Sequence, residues 1–172
     1  QNRMQLKQHL KLWEERMRKK HYIIPIYISH SGCPHQCVFC NQDKIARSLI
    51  KEVTGEEVRQ TVEEHLKTID KNNSLIEISF FGGTFTAINR RKQKEYLAVA
   101  KEYKEKGLIH KIRMSTRPDA ISEEILSYLK EFTVDIIELG VQSLDNMVLK
   151  LSGRGHTAQD VEIASKLIKD FG

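Results

Sequence analysis

Two kinds of hydrophobic pattern alternate along this chain. Short runs of β-branched and aromatic residues are followed by segments whose apolar positions recur every three or four residues. The first pattern is that of buried strands, the second that of helices with one covered face. Residues 22–29 (YIIPIYIS) read as the first strand, and Pro25 within it suits a strand near an edge or a beginning. Thr54 and Glu57 make a capping-box pattern, which opens a helix to about Ile69 with Val58, Val62, Leu66 and Ile69 on its inner face. After the turn Asn72-Asn73-Ser74, residues 75–81 (LIEISFF) form the second strand. A helix spans 89–106 and stops at Gly107, a good residue for a helix end. Residues 108–116 are the third strand, ended by Arg117-Pro118-Asp119. Ser122 starts a short helix to Glu131, and residues 134–141 (VDIIELGV) are the fourth strand. A short helix over 145–151 and a last helix over 157–170 follow, the latter with Val161, Ala164, Leu167 and Ile168 turned inward.

Strand and helix alternate four times, which predicts an α/β chain with parallel pairing and right-handed crossovers. The apolar runs in the strands predict that helices cover one face and a core or barrel interior covers the other. In such folds function lies beyond the C-terminal ends of the strands. Every unusual segment of this sequence falls at such an end. A cysteine loop follows the first strand, Gly82-Gly83-Thr84 the second, Ser115-Thr116-Arg117-Pro118-Asp119 the third, and Gly140-Val141-Gln142-Ser143 closes the fourth. Segments far apart in sequence are therefore expected on one rim.

Composition narrows the class. The 172 residues are 40% hydrophobic and 30% charged, enough for one domain with a core. No apolar run approaches the roughly 18–20 residues needed to span a bilayer, so no membrane partner is expected. No signal peptide precedes the first strand, and an odd number of clustered cysteines does not suit a secreted disulfide framework, so the cytoplasm is the expected compartment. The net charge is +5, and much of the excess lies between Lys7 and His21, where Arg16, Arg18, Lys19 and Lys20 sit. Residues 1–20 read as a basic helical leader or arm: a solvated segment, or one that contacts RNA phosphates.

Cys33, Cys37 and Cys40 are the only cysteines, in a C-x3-C-x2-C pattern. Soft thiolates suit iron–sulfur clusters, zinc or copper. Three thiolates on one loop can each hold an iron of a [4Fe-4S] cluster, and with no fourth cysteine one iron stays open to bind a substrate or cofactor. The alternative is zinc with His30 or His35 as fourth ligand, in a binding module without radical chemistry. Gly82 and Gly83 leave the backbone open to a ligand, with Thr84 and Thr86 as hydroxyl donors. Arg117 faces either the rim or an ion pair with Asp119. Glu138 and Gln142 are polar in and after an apolar strand, and bind either a ligand or loop backbone. Arg154 suits a carboxylate, Thr157 is a helix cap, His156 reads as structural and Glu77 as a pleat-face residue with no chemical role.

The cysteine loop, with Phe39 before its last cysteine, resembles the radical S-adenosylmethionine superfamily. Residues 81–86 (FGGTFT), 115–119 (STRPD), 138–143 (ELGVQS) and 154–157 (RGHT) resemble its elongator catalytic-subunit, histone-acetyltransferase-like branch. The likeness runs from about residue 22 to 172 and concerns the radical domain only. It implies that Cys33, Cys37 and Cys40 ligate the cluster and that S-adenosyl-L-methionine chelates the open iron. It further implies that Gly82 and Gly83 contact the methionine amino group, Glu138 and Gln142 the ribose side, and Arg117 and Arg154 the polar end. One electron from an external donor then yields a 5′-deoxyadenosyl radical that abstracts hydrogen from a substrate, small or RNA. The superfamily's partial barrel has about six βα units. Four are visible here, so the domain over 21–172 reads as truncated, with association through the open edge expected.

Overall fold

Parallel strands need long crossovers, and each crossover here contains a helix whose apolar side is dictated by the pattern above. A computed structural model of the chain describes residues 19–28, 33–40 and 53–172, together with positions 5 and 7. The helical leader expected over 1–20 lies almost wholly outside them, as does His30.

Strands β1 (Lys20–Tyr27), β2 (Ser74–Phe81), β3 (Lys111–Thr116) and β4 (Ile136–Leu139) form one parallel sheet in the order β1-β2-β3-β4. Helices α1 (Gly55–Thr68), α2 (Arg90–Glu105), α3 (Glu123–Glu131), α4 (Asn146–Leu151) and α5 (Ala158–Phe171) follow the strands in turn. Among the described residues β1 is an outer strand, which accommodates Pro25 and its missing N–H. Thr54 caps α1 through a capping box with Glu57, and Thr157 caps α5 in the same way with Asp160. No helix among the described residues is long and apolar enough to cross a membrane.

The core lies between one face of the sheet and the helices. Ile24 and Ile26, Ile76, Ile78 and Phe80, and Ile112 and Met114 meet Val58, Val62 and Leu66 of α1 and Tyr96, Leu97 and Ala100 of α2. Each of the Ile, Val, Leu, Phe and Met side chains among them contributes about 1.5–3 kcal/mol when fully buried.

The opposite face is the one expected to meet a core or barrel interior. It carries a charged ladder across all four strands, because the parallel register sets residues of the same pleat side by side. Arg113 donates from Nε and Nη2 to one oxygen of Glu77 at 3.0 and 2.8 Å. Its Nη1 reaches Glu138 at 2.6 Å, and Ser115 Oγ donates to the other Glu138 oxygen at 3.0 Å. His21 Nε2 lies 2.9 Å from the second oxygen of Glu77. Glu77 is 4% exposed, so it is a buried and partnered carboxylate and not a passive pleat residue. Leu75 and Ile23 share this face, so the first two strands read as nearly continuous apolar runs and hide the ladder there.

Three strand boundaries also differ, the first strand lying two residues earlier than expected, at Lys20–Tyr27. The third strand begins at Lys111 and not at 108, because Leu108 and Ile109 turn their N–H groups back to Tyr103 C=O at the end of α2. The fourth strand is only Ile136–Leu139. Val134 N–H is used in the same way, bonding Leu129 C=O at the end of α3. Thr133 takes the left-handed position of that motif, at φ 54°, where a β-branched residue is strained.

Thr133→Gly is therefore expected to stabilise the protein by about 0.5–1 kcal/mol, the relief of left-handed strain less the added freedom of the unfolded chain. An unchanged or lower midpoint in urea denaturation contradicts this. A second expectation concerns acid. Burial opposes ionisation of Glu77, but hydrogen bonds from Arg113 and His21 outweigh it and hold the carboxyl below its ordinary value. The unfolded chain then binds the extra proton, so the ladder's stabilisation is present above about pH 4.3 and is lost as pH falls through the folded value. In urea titrations at descending pH, Glu77→Gln should show a shallower loss of stability below about pH 4.3 than the parent. Parallel curves would mean that Glu77 contributes nothing to acid sensitivity.

Candidate functional site

The cysteine loop over the first strand rests on a bed made by residues 152–155. At the end of α4 the chain reverses: Gly153 N–H bonds Lys150 C=O, Arg154 N–H bonds Leu149 C=O, and Gly153 sits at φ 65°. Val38 N–H then donates to Ser152 C=O at 3.0 Å, and Cys40 N–H closes a turn on Cys37 C=O at 2.9 Å. The His35 ring lies on Gly155 so tightly that a Cβ there would fall 2.3 Å from it. Sequence reasoning found Arg154 by its charge and missed this bed. The glycines on either side of Arg154 were the available signal.

The loop, the strand ends and Arg154 enclose a cavity of about 300 Å³. Cys33, Cys37 and Cys40 all line it as free thiols. Cys33 Sγ is 3.1 Å from Thr84 Oγ1, and Arg154 Nη1 points at Cys37 Sγ at 3.5 Å. Burial pushes the Cys40 thiol up, and so do Cys33 and Cys37, against the opposing pull of Arg154. The Cys40 thiol thus resists ionisation until positive charge arrives, which is what metal ligation supplies.

The second strand delivers Gly82, Gly83 and Thr84 to the same wall. Gly82 has φ 103°, and a Cβ there would sit 2.4 Å from the Tyr27 ring and 2.9 Å from Ile28 C=O. No other residue fits this close pass of the backbone. Thr84 is 1% exposed. Thr86 is not part of the cavity wall: its hydroxyl is tied to Thr116 Oγ1 and Ala120 C=O, both at 2.6 Å, so it braces the third strand's exit.

The third strand places Ser115, Thr116 and Arg117 on the wall. Arg117 satisfies both of its expected roles. It forms a two-pronged pair with Asp119 at 2.9 and 3.0 Å, and it borders the cavity while only 3% exposed. Its Nη2 also donates to Arg154 C=O. Its Nη1, like Arg154 Nε, is buried without a hydrogen-bond partner among the described residues.

The fourth strand contributes Glu138, Leu139, Gly140 and Gln142. Glu138 is held by Arg113 and Ser115 and not by loop backbone, so its carboxylate is fixed beside the cavity. Gln142 occupies φ 68° in a turn closed by Ser143 N–H on Val141 C=O at 2.9 Å. A non-glycine residue in that region carries strain of the kind that collects at functional sites. Arg154 Nη2 donates to Gly140 C=O. His156 is structural, as expected: its Nε2 lies 3.2 Å from Val141 C=O. Burial first, then Arg154, lowers its pKa, which favours the neutral ring donating from Nε2.

Most of this chain is similar in sequence or in fold to known proteins. A tRNA uridine(34) acetyltransferase of Methanocaldococcus infernus is 29% identical over 186 residues, covering 87% of this chain and 35% of that protein. An uncharacterized protein of Methanocaldococcus jannaschii is 31% identical over 169 residues, covering 91% of this chain and 49% of the other. The chain thus spans about a third to a half of these curated relatives. The solved structure of the archaeal Methanocaldococcus infernus Elp3 with an N-terminal deletion superposes with a TM-score of 0.59 at 22% identity, over 85% of this chain and 34% of that one. Residues 27–172 match the Radical SAM superfamily, which takes in the cysteine loop, the glycine pair and the remaining strand ends. A match of that extent makes this chain a member of the Radical SAM superfamily, and within it the likeness runs to the radical domain of the elongator branch.

Proposed function

We propose that this chain supplies the cluster seat and the S-adenosylmethionine seat of a radical enzyme. The observation that carries the reading is the meeting of three free thiols, a glycine pair and two buried guanidinium groups around one cavity. The donor set fits an iron–sulfur cluster, since soft thiolates are its usual ligands. Two orphaned N–H groups, Arg117 Nη1 and Arg154 Nε, are what a carboxylate-bearing ligand needs beside it.

In this reading Cys33, Cys37 and Cys40 hold three irons. Gly82 and Gly83 present bare backbone to the amino group of the cofactor's methionine part, and Thr84 steadies Cys33. Arg117 and Arg154 face its carboxylate. Glu138 and Gln142 accept and donate hydrogen bonds at the ribose end. Held by these residues, the cluster and S-adenosylmethionine would supply one-electron reductive cleavage of the sulfonium and, from it, hydrogen-atom abstraction from the substrate. The protein's share is orientation and exclusion of water. The Arg113 ladder contributes by holding Glu138 still before the cofactor arrives.

An external electron donor and an RNA substrate complete the proposal. The net charge of +5 and the tRNA-directed names of relatives such as that of Methanocaldococcus infernus support RNA over a small molecule. The test is anaerobic reconstitution with iron and sulfide, then addition of dithionite and S-adenosylmethionine. The expected result is 5′-deoxyadenosine from the parent chain and none from Cys37→Ser. Zinc in the anaerobically purified protein, with no uptake of iron and sulfide, contradicts the reading.

A further inference from the structure

We propose that Arg154 sets the reduction potential of the cluster by donating an N–H···S hydrogen bond to Cys37, an inference that rests on the reading of the three thiols as cluster ligands. The geometry singles out this arginine from its neighbour. Both guanidinium groups are buried, Arg117 at 3% and Arg154 at 8% exposure. Arg117 spends its charge on Asp119, which it grips with two prongs. The polar contacts of Arg154 among the described residues are different in kind. Nη1 faces Cys37 Sγ at 3.5 Å, Nη2 meets Gly140 C=O, and Nε has no partner. Its cation is therefore offset by a sulfur and a carbonyl and not by a carboxylate.

The side chain is also held in place from three directions. The reversal after α4 fixes its backbone through the bond from Arg154 N–H to Leu149 C=O. Arg117 Nη2 donates to its carbonyl. Gly140 lies so close that a Cβ there would be 2.8 Å from Nη2. A donor locked against a ligand sulfur has a defined electrostatic effect. Reduction adds one electron to the cluster and raises the negative charge on the thiolate sulfurs, while no bond breaks and no proton moves. A fixed N–H and a buried cation stabilise that reduced state more than the oxidised one, so the potential rises. Arg117 then acts as the positioning residue, since it holds Arg154 and leaves the sulfur alone.

The test uses the reconstituted chain without S-adenosylmethionine, so that a lost cofactor contact cannot account for the result. Dithionite supplies the electrons, and the reduced cluster is followed by electron paramagnetic resonance. Arg154→Gln removes the cation and one N–H. Its midpoint should move to more negative values, with about a tenfold lower ratio of reduced to oxidised cluster at the parent's midpoint, or about 59 mV for a one-electron couple. Gly140→Ala keeps the charge and displaces the guanidinium, because the new methyl group would press on Nη2. It should shift the midpoint in the same direction by less. An unchanged midpoint in Arg154→Gln overturns the proposal. If that variant takes up no iron, Gly140→Ala decides in its place, and an unchanged midpoint there overturns it equally. Failure of the parent chain itself to form a cluster is a separate result, which overturns the ligand reading on which this inference stands.

Discussion

Parallel pairing obliges every strand of this sheet to leave at the same edge, and the register keeps those exits level. Tyr27 pairs with Phe81, Phe80 with Met114, and Thr116 with Leu139, so the cysteine loop, the glycine pair, Arg117 and Gly140 all begin within one strip of backbone. No local preference of the four segments brings them together. The ladder of backbone hydrogen bonds does, and the apolar helix-facing side of the sheet holds that ladder in register. A slip of one residue in any strand would turn its core residues to the other face and dismantle the rim.

The rim is then fixed by charged groups, of which Glu77, Arg117 and Arg154 are buried. Glu77, Arg113 and Glu138 span the inner face, and Arg117 with Asp119 and Arg154 closes the top. Such groups cost desolvation and return it only where each is partnered. Arg113 meets two carboxylates and Arg117 one, whereas Arg154 turns to a sulfur and a carbonyl. That distribution separates side chains that hold the frame from one that meets the thiols. It also explains why the strands look apolar in sequence while one of their faces is charged.

Much of this was legible in the chain. The capping box at Thr54, the helix cap at Thr157, the α/β order and the placing of motifs at strand ends came from local chemistry and period alone. The cysteines stood out because three soft ligands on one loop have few other uses. What the sequence hid was contact between distant segments. Arg113 is one polar residue in a β-rich run, and its two carboxylate partners lie on neighbouring strands, 36 and 25 residues away. The bed at residues 152–155 is invisible until the cysteine loop is laid on it. Boundaries failed where a helix end borrowed residues from the next strand, as at Leu108 and Val134. Hydrophobicity reports that these residues are covered, but not which hydrogen bonds they make.

The central claim is that the three thiols share one four-iron cluster with a single iron left for the cofactor. Mössbauer spectroscopy of the anaerobically reconstituted chain tests it most directly. The account predicts about four irons and four sulfides per chain, with one iron site changing its spectrum when S-adenosylmethionine is added and three staying as they were. Four irons that respond alike, or a preparation that holds a single metal ion with no sulfide, would contradict it.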